Sequence, residues 1–97
     1  MDKVLIITGG GRGIGAALAR QAADSGYTVA VNYQRDAAAA ESLVTAIRDK
    51  GGRASAFQAD IGAADQVERL FQEVERDLGT PVALVNNAGI TGRIRPF

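Results

Sequence analysis

The chain has 97 residues, with 11 Lys+Arg balanced by 11 Asp+Glu, and it contains neither cysteine nor histidine. That length holds at most one small domain, and 46% hydrophobic residues support a packed core rather than a disordered chain. A net charge of zero argues against nucleic acid or an anionic membrane as partner. Without cysteine there are no disulfides or zinc–thiolate sites, and no metal site is expected. Without histidine the commonest acid–base side chain near neutral pH is missing. A strand pattern begins within a few residues of Met1, leaving no room for a signal peptide, and no apolar run could span a bilayer. The expectation is a soluble, cytoplasmic protein.

In chain order, Val4-Leu5-Ile6-Ile7 reads as a buried parallel strand. It breaks into Thr8-Gly9-Gly10-Gly11-Arg12-Gly13-Ile14-Gly15, where five of residues 9–15 are glycine. An alanine-rich helix pattern follows, with Ile14, Leu18 and alanines at 16, 17, 19, 22 and 23, ending near Ser25-Gly26, where Gly26 suits a C-cap. Such a junction aims several backbone N–H groups and the positive end of a helix at one spot, which suits a phosphate. Glycine keeps Cβ atoms out of the way there and makes positive φ cost nothing.

Tyr27 to Tyr33 is the next strand. Asp36 can cap a second helix, whose Ala40, Leu43, Val44 and Ile47 fall on one face, and Gly51-Gly52 stops it. Arg53 to Ala59 fits a short third strand with Phe57 inward. Asp60-Ile61-Gly62 turns into a third helix, with Val67, Leu70, Phe71, Val74 and Leu78 at helical spacing, ended by Gly79 and Pro81. Val82 to Val85 is a fourth strand, followed by Asn86-Asn87-Ala88-Gly89.

Alternating strands and helices imply parallel pairing with right-handed crossovers. The fold class is therefore α/β: a doubly wound parallel sheet of Rossmann type, here its first four strands in the order 3-2-1-4 with three helices. In that order the loops after the first and fourth strands, Gly9 to Gly15 and Asn87 to Gly89, border the ligand crevice. Two helices would cover one sheet face and a single helix the other, and the fourth strand would be an unprotected edge of Val and Leu. Residues 1–97 thus read as the N-terminal part of one dinucleotide-binding domain, cut after its fourth strand.

Taken together, Thr8-Gly9-Gly10-Gly11-Arg12-Gly13-Ile14-Gly15 resembles the T-G-x-x-x-G-x-G fingerprint of the short-chain dehydrogenase/reductase family. Asn86-Asn87-Ala88-Gly89 resembles that family's N-N-A-G, and Asp60 falls where the family carries an aspartate after the third strand. The wording is most similar to reductases of the 3-oxoacyl-carrier-protein reductase and glucose dehydrogenase type. The resemblance implies an NAD(P)-dependent oxidoreductase acting on a small carbonyl or alcohol substrate, built as a homotetramer or homodimer. Amides around Gly9 and Gly11 to Gly15 would bind the pyrophosphate. Asp60 would accept a hydrogen bond from the adenine amino group beside the Ile61 backbone, its bland alternative being a helix cap. Asn87, Ala88 and Gly89 would pass the cofactor ribose. Asn86, through amide bonds to backbone, and Thr8, through its hydroxyl, would tie the first and fourth strand ends.

Cofactor choice rests on the end of the second strand, Asn32-Tyr33-Gln34-Arg35. An NAD site places an acid there to hold the ribose 2′-hydroxyl, and that acid repels a 2′-phosphate. Asp36 lies past the strand at a helix start, where capping suits it, whereas Arg12 and Arg35 can meet a 2′-phosphate. The expected cofactor is NADP(H), with NAD(H) the alternative. Gly11 to Ala16 also fits the general G-x-G-x-x-A pattern shared by flavin and nicotinamide folds, over which Asn86 to Gly89 favours the short-chain family. No Gly-Lys-Ser/Thr follows the loop, which disfavours a P-loop nucleotidase.

The resemblance also implies a catalytic tyrosine, a lysine four positions later, and a serine. Here Val31 follows Tyr27 by four and Ala37 follows Tyr33 by four, and the only lysines are Lys3 and Lys50. No catalytic residue is therefore assigned within this sequence, and the catalytic Ser, Tyr and Lys are expected beyond residue 97. The alternative is a non-catalytic dinucleotide-binding sensor module. Thr91 to Arg95 follows the fourth strand and reads as a solvated loop at the rim of the site.

Overall fold

Branched aliphatic residues in β1 (Lys3–Thr8) and β2 (Tyr27–Tyr33) form the centre of a four-stranded parallel sheet. The computed structural model describes residues 3–11 and 13–87. After β1 come α1 (Gly13–Asp24), β2, α2 (Ala37–Asp49), β3 (Arg53–Gln58), α3 (Ala64–Asp77) and β4 (Pro81–Asn86). The sheet order is β3-β2-β1-β4, as the alternating pattern predicts, and every pairing is parallel.

Pairing between β1 and β2 runs evenly from Lys3 opposite Tyr27 to Ile7 opposite Val31. The β1–β4 ladder is irregular. Val4 opposes Pro81 but Leu5 opposes Ala83, so β4 carries one extra residue, and the shifted register brings Asn86 opposite Thr8. That one-residue offset decides which asparagine meets which strand end.

Two apolar layers sandwich the sheet. On one face Ile7, Val29, Val31 and Ala54 pack against Ala19 of α1 and Ala40, Leu43, Val44 and Ile47 of α2. On the other, Val4, Ile6, Ala30 and Phe57 pack with Ala59 against Leu70 and Val74 of α3. Alanines 16, 19, 22 and 23 let α1 lie close to the sheet, whereas Ala17 faces solvent. Ile14 is 65% exposed. It sits in the first turn of α1, beyond the C-terminal end of β1, where no strand lies beneath it.

Helix ends follow local chemistry. Asp36 is the N-cap of α2, and its Oδ1 accepts the Ala39 N–H at 3.0 Å. At the other end, Gly51 and Gly52 close the helix by donating to the Arg48 and Ile47 carbonyls. Asp36→Ala should cost about 0.5–2 kcal/mol, read as a lowered denaturant midpoint with an unchanged slope. An unchanged midpoint would show that the cap contributes nothing.

Among the described residues β4 is an edge strand, and Val82 and Leu84 are 62% and 52% exposed. Leu84 opposes Ile6, so both lie on the α3 side, where α3 leaves the β4 margin bare. No helix among the described residues is long and apolar enough to cross a membrane.

Candidate functional site

The strand order reverses between β1 and β4, because the chain goes from β1 outward to β2 and β3 and returns to β4 on the other side. Open parallel sheets bind ligands at such a switch point, outside the carboxyl ends of the strands. The glycine turn stands there, and the structure shows what each glycine does.

Gly9 and Gly13 have positive φ, 60° and 55°, a region that disfavours residues with a Cβ. A Cβ on Gly13 would meet nothing within 4 Å, so this side of the turn is open. Gly15 is the opposite case. A Cβ there would lie 2.5 Å from Asn87 Nδ2 and 2.7 Å from the Gly9 carbonyl oxygen. Gly11 sits against the first turn of α2, where a Cβ would lie 3.3 Å from both Ala39 Cβ and Ala40 N. The turn is therefore wedged between α1, α2 and the end of β4.

Two hydrogen bonds brace it. Gly10 N–H donates to the Asn32 carbonyl at 3.2 Å, and Asn87 Nδ2 donates to the Gly9 carbonyl at 3.0 Å. The Thr8 hydroxyl lies 3.0 Å from Asn86 Oδ1 and 3.4 Å from the Val85 carbonyl, linking the ends of β1 and β4 as expected. The side-chain-amide bond to backbone expected of Asn86 belongs instead to Asn87. Asn86 is exposed and takes part through its oxygen. The register shift in β4 is the physical reason, since it seats Asn86 beside Thr8 and leaves the next residue beside Gly9.

The first turn of an α-helix leaves its N–H groups without intrahelical partners. The N-terminus of α2 is answered by the Asp36 carboxylate, and α3 carries Asp65 in its first turn. The first turn of α1 contains no acidic residue. A helix start without an acid in its first turn suits an anion from outside, and a turn of glycines leaves room for one. These residues fit the pyrophosphate of a dinucleotide.

Around this centre, Ile14 is exposed at the start of α1, and Arg35 is exposed in the loop between β2 and α2. Tyr33, at the end of β2, is half-buried and packs on the α1–α2 layer. Asp60 is half-buried after β3, and Ile61 leans on the α3-side core. Asp60 does not cap α3: the N-cap is Ala63, with no side-chain capping bond. Its Oδ1 accepts the Gly62 N–H at 2.9 Å, and its own N–H is held by Gln66 Oε1 at 2.8 Å. Oδ2 has no partner among the described residues.

Asn32 departs most from its expected place beside the cofactor. It is 2% exposed, and Nδ2 donates to the carbonyls of Phe57 and Ala59 at 3.3 and 3.2 Å. Its side chain faces the α3 layer, opposite Phe57, because β2 alternates and Val29 and Val31 take the other face. Its backbone carbonyl serves the glycine turn. Arg12, Ala88, Gly89 and the Thr91–Arg95 stretch lie outside the described residues.

Two further features lie away from the crevice. A concavity of about 420 Å³ between the C-terminal ends of α1 and α2 is bordered by Arg20, Asp24, Lys50 and Gly52, at the opposite end of the sheet from the glycine turn. On α3, the Arg76 guanidinium bonds Asp77 at 2.7 Å and holds that carboxyl below its ordinary value, on the exposed surface. No cluster of three potential metal ligands occurs among the described residues.

A parallel sheet with its crossover order, and a glycine turn braced to both neighbouring strands at the switch point, define the class: an open α/β domain of Rossmann type. The chain belongs to the short-chain dehydrogenase family, whose model matches residues 3–97. It is 44% identical over 91 residues to the 3-oxoacyl-[acyl-carrier-protein] reductase FabG of Staphylococcus epidermidis, covering 94% of this chain and 37% of that relative. A dehydrogenase/reductase from Sinorhizobium meliloti superposes with a TM-score of 0.87 at 43% identity, over 91% of this chain and 35% of that one. A Burkholderia cenocepacia protein solved with bound NADP matches with a TM-score of 0.81 at 38% identity, over 88% of this chain and 33% of its own. The chain therefore spans little more than a third of the length of these relatives.

Proposed function

We propose that this chain supplies the NADP(H)-binding portion of an oxidoreductase that moves hydride between nicotinamide and a carbonyl or alcohol carbon. The observation that carries the reading is the glycine turn: two positive-φ glycines, a close approach that only Gly15 permits, and a helix N-terminus with no acidic residue in its first turn. Family membership and the reductase and NADP-bound relatives support it.

In this reading the amides of Gly11 to Gly15 hold the pyrophosphate. Asp60 Oδ2 accepts from the adenine amino group, and the stretch from Asn87 to Gly89 borders the cofactor ribose. Ile14 offers an apolar surface at the mouth of the crevice. The bound nicotinamide supplies the hydride, and this segment's work is to hold and orient it. No Tyr-x-x-x-Lys occurs in the sequence, so proton transfer to the substrate falls to residues outside it, in line with expectation from the family.

Preference for the phosphorylated cofactor follows from charge at the end of β2. Asp36 is engaged as the α2 cap, which removes the acid that would hold a 2′-hydroxyl, while Arg35 stands exposed beside it. A hydrogen bond to a charged group contributes about 1.5–3 kcal/mol, so Arg35→Ala should weaken NADPH binding by about 10–100-fold while NADH binding changes less than about threefold. Parallel fluorescence titrations of the two cofactors measure this. Equal affinity of the unaltered protein for NADH and NADPH would refute the NADP(H) assignment.

A further inference from the structure

Asn32 is a buried amide in an apolar layer that includes Ala30, Phe57, Ala59, Leu70 and Val74. A valine or leucine would pack there without a polar group to satisfy. What the amide adds is visible where β3 leaves the sheet. The β2–β3 ladder ends with Tyr33 opposite Gln58. One residue further on, Ala59 is held from two sides: its N–H donates to the Tyr33 carbonyl at 3.0 Å, and its carbonyl accepts from Asn32 Nδ2 at 3.2 Å. The same amide nitrogen also donates toward the Phe57 carbonyl at 3.3 Å and, more distantly, the Tyr33 carbonyl at 3.5 Å. The carboxamide thus takes the place of a ladder donor just past the strand end, and fixes the angle at which the chain turns away.

The next residue is Asp60. Its N–H is anchored on Gln66 and its Oδ1 on the Gly62 N–H, leaving Oδ2 as the group that can answer an outside donor. We infer that Asn32 is a positioning residue for base recognition: it sets the exit of β3 so that Asp60 can meet the adenine amino group, without itself touching the cofactor. The inference rests on the NADP(H) reading above and adds to it the residue that enforces selectivity for the base.

The test uses the full chain and two ligands, NADPH and its hypoxanthine analogue, in which an oxo group replaces the adenine 6-amino group. The unaltered protein should prefer NADPH by about tenfold or more, the range for one hydrogen bond to a charged acceptor. Asp60→Ala should abolish the preference. Asn32→Ala should bring it within about twofold, with no further loss in the double variant. Equal weakening toward both ligands by Asn32→Ala, with the preference intact, would show a merely structural residue and overturn the proposal.

A second measurement needs no substitution and stands if Asn32→Ala does not fold. The Asn32 side-chain amide resonance should shift when 2′,5′-ADP is added and stay still with nicotinamide mononucleotide. A shift with the mononucleotide, or none with 2′,5′-ADP, overturns the inference. Failure of the unaltered protein to bind NADPH at all sinks the cofactor reading, whereas NADPH binding without base preference sinks this inference alone.

Discussion

A single methyl group at Gly15 should both destabilise the domain and weaken cofactor binding by more than tenfold. Intrinsic helix propensity argues the other way, since alanine is better than glycine inside a helix by about 1 kcal/mol. Geometry decides against it. The added Cβ would sit 2.7 Å from the Gly9 carbonyl and 3.0 Å from Gly10 Cα, and these neighbours are backbone that cannot rotate away. It would also stand 2.5 Å from Asn87 Nδ2, the atom that ties β4 to the turn. Overpacking costs about 1–3 kcal/mol, and the lost Asn87 bond about 0.5–1.5 kcal/mol more. The net expectation is a loss of roughly 1–3 kcal/mol, since the propensity gain offsets part of these terms. Gly13→Ala is the instructive control. Its φ of 55° carries strain, but its Cβ meets open space. It should cost about 1–2 kcal/mol and leave the Asn87–Gly9 bond in place. Denaturant unfolding and NADPH titration of both variants distinguish the two effects. A Gly15→Ala protein as stable as its parent would mean that α1 is not pressed against the turn as the structure shows.

Sequence pattern revealed the framework of this site more fully than its wiring. The glycine run between an aliphatic strand and an alanine-rich helix, and the asparagine pair after the fourth strand, mark the two loops that meet at the switch point. Their meeting follows from strand order, which follows from alternating elements. The facing of individual polar residues was less legible. A strand buried on both faces has no polar/apolar alternation to show which way Asn32 points. Its inward direction emerges only from its register opposite Phe57. That Asn87, and not Asn86, makes the amide bond to backbone has a similar origin. An extra residue in β4 moves every later partner by one position, and no local residue pattern in Pro81–Asn86 announces it. Asp60 shows a milder limit. An aspartate shortly before a helix suits a cap, yet Gln66 already reaches back to its N–H, and the carboxylate closes a turn with Gly62.

Leu70→Ala should lower stability by about 2–5 kcal/mol, the usual range for emptying a buried leucine site. Leu70 is 1% exposed, and among the described residues α3 covers its sheet face without help from a second helix. On the opposite face α1 and α2 share the work, so neighbouring side chains can lean into a vacancy more readily. Leu43→Ala in α2 should accordingly fall toward the lower end of the same range. The Leu70 deletion also has a local consequence that bears on function. Ala59 belongs to the same cluster and Ile61 packs against it, so the two residues flanking Asp60 both rest on this core. Loosening it should free the turn before the helix while leaving the glycine turn, braced by the Asn32 backbone carbonyl and the Asn87 side chain, in place. Hydrogen exchange should therefore accelerate at the Ala59 and Gly62 amides beyond the change at Gly10, and affinity for 2′,5′-ADP should fall more than affinity for pyrophosphate. Uniform acceleration at all three amides would mean that the core supports the crevice as one unit, and that the adenine end has no separate dependence on α3.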